Sequence, residues 1–109
     1  MSAPRSVDNT GDRRHYVYVI ELNDAVGPRK DARFPSVYVG QSVHEPAVRF
    51  RQHLDGYKAS RYVKRYGKFL RPRLYRSMNP MPSRDAALAA EAEVARRLRR
   101  RGYTVYGGH

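Results

Sequence analysis

YVYVIEL, at Tyr16–Leu22, leaves this chain few ways to fold. The run is β-branched and aromatic throughout, the composition of a strand buried on both faces or nearly so. A second short strand is expected at SVYVGQ (Ser36–Gln41). The intervening NDAVGPRKDARFP (Asn23–Pro35) holds Gly-Pro and mixed charge and reads as a loop, long for a hairpin. FLRPRLYRSM (Phe69–Met78) is a third candidate strand, which Pro72 forces to start late or to lie at an edge. YTVYGGH after Gly102 reads as one more short strand or a tail.

Three helical patterns accompany these runs. One starts near Glu45 with Pro46 in its first turn, carries Ala47, Phe50 and Leu54 as an apolar stripe, and ends at Gly56. Another spans Lys58–Gly67, with Ser60 as its cap and Tyr62 and Tyr66 four residues apart. The clearest is Ser83 to Arg101, capped by Ser83, with Asp85 at its positive end, arginines at its negative end and Gly102 as its stop. The order predicts a small α/β (α+β) layer with at least one antiparallel pair. At 109 residues there is one domain, 15–109, preceded by a flexible arm over 1–14.

The chain holds 22 Lys and Arg against 10 Asp and Glu, a net charge of +12. The excess is concentrated: residues 45–76 carry net +8, whereas residues 1–44 carry +1. Such a field attracts polyanions, and nucleic acid is the usual partner. Cysteine is absent, which removes disulfides and thiolate metal sites. With no apolar leader and no membrane-length apolar run, the expectation is a soluble cytoplasmic protein with no membrane partner.

Several residues carry chemistry. Arg49 and His53 stand one turn apart, beside the apolar stripe and at the rim of the core. Arginine offers a planar fork for phosphate oxygens, and histidine a donor or proton carrier near neutral pH. Tyr38 ends its strand just before Gly40, where backbone or ligand can approach closely. On the last helix, Glu91 shares a face with Leu88, Val94, Ala95 and Leu98, while Glu93 sits on a water-accessible surface. A core-facing carboxylate needs a cation or metal; an ion pair with arginine and a hard divalent ion both satisfy it. Lys58, Arg61, Lys64, Arg65 and Lys68 alternate with Tyr57, Tyr62 and Tyr66, a pattern suited to tracking a nucleic-acid strand, with the tyrosines themselves packing inward.

YVYVI (Tyr16–Ile20) and VYVG (Val37–Gly40) resemble the two halves of the GIY-YIG motif. VRFRQH, with Arg49 and His53, resembles that family's arginine-bearing helix, and AALAAEAEVARRLRRRG its later helix with a single metal-binding glutamate. The resemblance spans Tyr16 to about Gly102. It implies a three-stranded antiparallel sheet flanked by helices and a metal-dependent DNA endonuclease. In that reading Tyr18, Tyr38 or His53 helps deprotonate water, Arg49 binds the scissile phosphate, and Glu91 holds one Mg²⁺ or Mn²⁺. It leaves specificity low or supplied by a partner protein. Three departures stand out. Tyr16 replaces the first motif's glycine, and the loop between the half-motifs is longer than usual. The asparagine that many members carry after the last helix is absent: Asn79 lies before that helix, and either the role is dispensable, or His109 or water covers it, or catalysis is impaired. The rival readings are a non-catalytic nucleic-acid-binding module on the same fold and a basic ribonucleoprotein component.

Overall fold

The computed structural model describes residues 14–108; the arm over 1–14 and His109 lie outside the described residues apart from Arg14. Strand β1 is Tyr16–Leu22 and β2 is Ser36–Ser42. Helix α1 (Pro46–Asp55) and helix α2 (Arg61–Tyr66) follow, then β3 (Gly67–Leu70), helix α3 (Arg84–Arg101) and β4 (Thr104–Gly107). Short 3-10 turns lie at Asp24–Val26, Pro72–Leu74 and Arg76–Met78.

The sheet has four strands in the order β3-β1-β2-β4. β1 pairs antiparallel with both β2 and β3, and β4 adds to the free edge of β2 in parallel. The sheet is therefore mixed and four-stranded, where a three-stranded antiparallel one was expected. The difference lies in YTVYGGH. α3 carries the chain back along the sheet, so the segment after Gly102 starts level with Ser36 and runs beside β2; parallel pairing requires a crossover of that kind. The third strand takes the edge alternative: β3 lies at the edge of the sheet and ends before Pro72, and residues 72–78 turn twice in 3-10 geometry.

Register fixes two faces. Tyr18, Ile20, Tyr38 and Gly40 share one face through the pairs Tyr18↔Gly40 and Ile20↔Tyr38, and Val17, Val19, Val37 and Val39 share the other. Both are covered, so all four valines and Ile20 are fully buried. α3 packs on the valine face, where Gly108 lies between Ala95 and Val39. α1 and α2 cover the tyrosine face, through His53 on Tyr18 and Tyr62 on Tyr106. The caps follow the sequence: the Ser83 and Ser60 hydroxyls accept from the N–H groups of Ala86 and Tyr62, and Gly56 and Gly102 close α1 and α3 in the left-handed conformation.

The face of α1 differs from the expected one. Ala47, Val48 and Leu54 are exposed, and Arg49, Phe50 and His53 turn inward. The rotation has a physical cause: His53 finds two polar partners inside, so its burial is compensated.

Asn79 closes the part of the β1 edge that β3 does not reach. Its side-chain oxygen accepts from Val17 N–H at 2.9 Å and its amide donates to Val17 C=O at 2.8 Å, so one side chain stands in for a paired strand residue. Asn79→Ala leaves both backbone groups without that partner. The expected cost is about 2 kcal/mol in urea denaturation.

Candidate active site

The site is built on two phenols lying across the sheet. Tyr18 pairs with Gly40, and a Cβ at Gly40 would sit 2.5 Å from the Tyr18 hydroxyl oxygen. Tyr38 pairs with Tyr106, and a Cβ at the next residue, Gly107, would sit 2.8 Å from the Tyr38 ring. Each ring thus rests over a glycine of the neighbouring strand. Gly40→Ala drives a methyl into the Tyr18 ring and displaces it. A stability loss of about 1–3 kcal/mol is expected, with a lost Tyr18–His53 contact visible in the imidazole NMR signals.

His53 completes a three-ring cluster. Ring centroids are 6.4 Å apart for Tyr18–Tyr38, 6.0 Å for Tyr18–His53 and 5.8 Å for Tyr38–His53. His53 is 1% exposed. Its Nδ1 accepts the backbone N–H of Ser60 at 3.0 Å, and its Nε2 lies 2.9 Å from the Tyr18 hydroxyl. An Nδ1 that accepts a backbone N–H carries no proton, so neutral imidazole holds its proton on Nε2 and donates it to Tyr18. Burial, then the nearby Arg49 charge, pulls the His53 pKa down to about 4. His53 is therefore a neutral, fixed donor at physiological pH. Both of its nitrogens are engaged.

Arg49 stands one turn before His53. Nη1 donates to Gln52 Oε1 and the Tyr57 carbonyl, each at 3.1 Å, and Nη2 donates to the Lys58 carbonyl at 2.7 Å. Lys58 adopts a positive φ of 43° in the turn that presents these carbonyls. Three of the five guanidinium donors hold the group on these acceptors, and the guanidinium also hydrogen-bonds the Tyr18 phenol.

Glu91 is buried on α3, 5% exposed, on the apolar face where the sequence put it. β4 follows β2 only as far as Val39↔Gly107, so the β2 edge beyond Val39 is uncovered by it. The Glu91 charge reaches both phenols. Burial foremost, then the neighbouring Tyr38 and the Glu91 carboxylate, push Tyr18 well above the ordinary phenol range; burial and Glu91 also raise Tyr38. Arg49 opposes the shift at both. Tyr18 and Tyr38 each feel the charges of both Arg49 and Glu91, and His53 feels that of Arg49. Glu93, by contrast, is half-exposed and pairs with Arg96 and, at 3.0 Å, with Arg97.

Among the described residues no group of three or more His, Cys, Asp or Glu side chains gathers to hold a metal. A single buried carboxylate fits a hard divalent ion of the Mg²⁺ type, which binds through one or two carboxylates, keeps several waters and completes its shell with substrate phosphate.

Lys58, Arg61, Lys64, Arg65 and Lys68 are all exposed, with Tyr62 and Tyr66 half-buried against the core. Lys68 reaches Glu21 at 3.3 Å, and Arg71 reaches the same carboxylate at 2.9 Å. Sequence reasoning passed over the second role of Ser60. Its capping pattern was readable; that its N–H also sets the His53 tautomer depends on how α1 and α2 fold back on each other. Among the described residues no helix is long and apolar enough to cross a membrane. Comparison with protein-family models, curated proteins and solved structures finds no match to this chain.

Proposed function

We propose that this protein is a metal-dependent endonuclease of the GIY-YIG type that hydrolyses DNA phosphodiester bonds. What supports this reading is the packing of two phenols against His53 beside a restrained guanidinium, with the charge of the buried Glu91 raising the pKa of both phenols, in a strongly basic domain.

Arg49 binds the scissile phosphate and offsets the charge that builds on the phosphorane oxygens. Its hydrogen bonds to Gln52 and to the carbonyls of residues 57 and 58 fix the fork before substrate arrives, so little reorganisation is needed. His53 fixes the Tyr18 oxygen by donating to it, and Tyr18 directs its own O–H toward the phosphate. Tyr38 is half-buried and lines an open cavity, so it is the phenol that a water can reach. Its raised pKa keeps it protonated, so it takes the proton of the attacking water only while passing its own to a phosphate oxygen. Glu91 would hold Mg²⁺ or Mn²⁺, which supplies Lewis-acid stabilisation of the leaving oxygen. The exposed cations of residues 58–68 bind flanking phosphates in a salt-dependent manner. These roles suit a cytoplasmic protein acting on DNA with little sequence preference of its own.

The test is incubation of the full chain with supercoiled plasmid in Mg²⁺, in Mn²⁺ and in EDTA. Nicking in either metal but not in EDTA is expected. Tight, salt-sensitive DNA binding without metal-dependent nicking would instead favour a non-catalytic binding module.

A further inference from the structure

The cleft beside Tyr38 continues away from the reacting centre. A cavity of about 440 Å³ is lined by Tyr38, Ser60, Arg61, Tyr62, Tyr106 and Gly107. Arg61 and Tyr62 also border a second cavity of about 290 Å³, which extends to Arg65 and Tyr66. The two share Arg61 and Tyr62, and together these flanking cavities make a trough whose lining runs from Tyr38 to Tyr66. Its walls are aromatic: Tyr62 and Tyr106 have ring centroids 4.8 Å apart, tilted by 45°. Its rim is cationic, with the Arg61 guanidinium 5.4 Å from the Tyr62 ring and that of Arg65 5.5 Å from Tyr66. Tyr62, Tyr66 and Tyr106 are only partly buried, so each ring keeps surface toward the trough.

We propose that this trough is a subsite for an unpaired nucleobase of the DNA strand being cut. The base next to the scissile phosphate turns out of its stack and settles against Tyr62 and Tyr106, while Arg61 and Arg65 hold the adjoining phosphates. This rests on the hydrolytic reading of the Tyr38, Arg49 and Glu91 centre. The physical reason is the match of surfaces. A base offers a flat π face that stacks on phenol rings with little regard to sequence, and guanidinium groups on the same rings add charge for the backbone. In an intact duplex that face is covered by its neighbours, so a paired base cannot enter without the cost of unstacking. Single strands, gaps and flaps offer it freely, and these are the preferred substrates. β4 is essential to the subsite because Tyr106 and Gly107 belong to it.

The experiment uses the full chain in EDTA, so that nothing is cut, and oligonucleotides carrying 2-aminopurine in a single strand or at a paired position of a duplex. At matched salt the single-stranded probe should bind at least tenfold more tightly, with a change in 2-aminopurine fluorescence on binding. Tyr106→Leu and Tyr62→Leu should each weaken single-strand binding about tenfold and leave duplex binding unchanged, whereas Tyr106→Phe binds like the wild type. Arg61→Ala, at an exposed position, leaves all the rings in place and tests the rim charge; it should weaken single-strand binding and reduce its salt dependence. Equal affinity for both probes, or leucine variants that bind the single strand normally, overturns the subsite. This readout is independent of cleavage. Plasmid nicking without single-strand preference leaves hydrolysis standing and removes the subsite; single-strand preference without nicking on any substrate does the reverse.

Discussion

Glu91→Gln abolishes metal-dependent nicking, by about a thousandfold or more, and leaves DNA binding at wild-type strength. The expected loss is large because the carboxylate is buried on the inward face of α3 and, among the described residues, belongs to no group of three or more His, Cys, Asp or Glu side chains that could take over its role. Glutamine keeps the volume and removes the charge, so the packing of α3 survives. A second readout separates this from simple damage. The Glu91 charge raises the pKa of both Tyr18 and Tyr38, so in metal-free protein its removal shifts phenol ionisation to lower pH. Ultraviolet titration of wild type and Glu91→Gln checks the shift. A titration curve identical in the two proteins would place the carboxylate outside the phenol cluster and remove the basis of the metal site.

Stability falls as pH drops from about 6.5 toward about 4, the window set by the ordinary histidine value and that of His53 in the fold. The sign follows from proton binding. In this interval the unfolded chain takes up a proton on His53 that the native state refuses, so acid favours unfolding. Refusal has two structural causes: Nδ1 is occupied by the Ser60 N–H, and the Arg49 guanidinium stands beside a ring shut in by Tyr18 and Tyr38. The difference corresponds to at most about 3 kcal/mol. Urea denaturation at several pH values measures it. His53→Ala should lose about 2–4 kcal/mol at pH 7, from the cavity and from a Ser60 N–H and Tyr18 hydroxyl left without their partner. The same variant should also lack the His53 part of the slope below pH 6.5. A variant that keeps the wild-type slope would assign it to other groups.

Local chemistry made β1, β2 and α3 legible before any coordinates. Tyr16–Leu22 has no other comfortable conformation, and Ser83, Asp85 and Gly102 mark both ends of α3. The inward position of Glu91 could be read from helical periodicity because its neighbours on that face are apolar. The same rule misplaced the face of α1. There it counted Leu54 as core and His53 as rim, whereas hydrogen bonds to two distant groups outweighed hydrophobicity in a short polar helix. β4 was open between strand and tail because its pairing depends on where an eighteen-residue helix delivers the chain. The glutamate, the arginine and the phenols were therefore visible as residue types at spacings, but the groups that hold them were not. Ser60 N–H, the carbonyls of Tyr57 and Lys58, and the Asn79 amide act through backbone geometry that no side-chain pattern announces.

The glycine beneath Tyr18 ties two positions into a single unit of inheritance. A Cβ at residue 40 would meet the Tyr18 hydroxyl and ring and nothing else as close. Descendants of this chain can therefore enlarge position 40 only after residue 18 has shrunk or moved. Residue 107 is fixed differently, because its φ of 73° and the Val39 carbonyl exclude a side chain whatever stands at residue 38. A library randomised at 18 with 40 should return the tyrosine–glycine combination far more often than either residue with any other partner, and one randomised at 38 with 107 should return glycine at 107 alone.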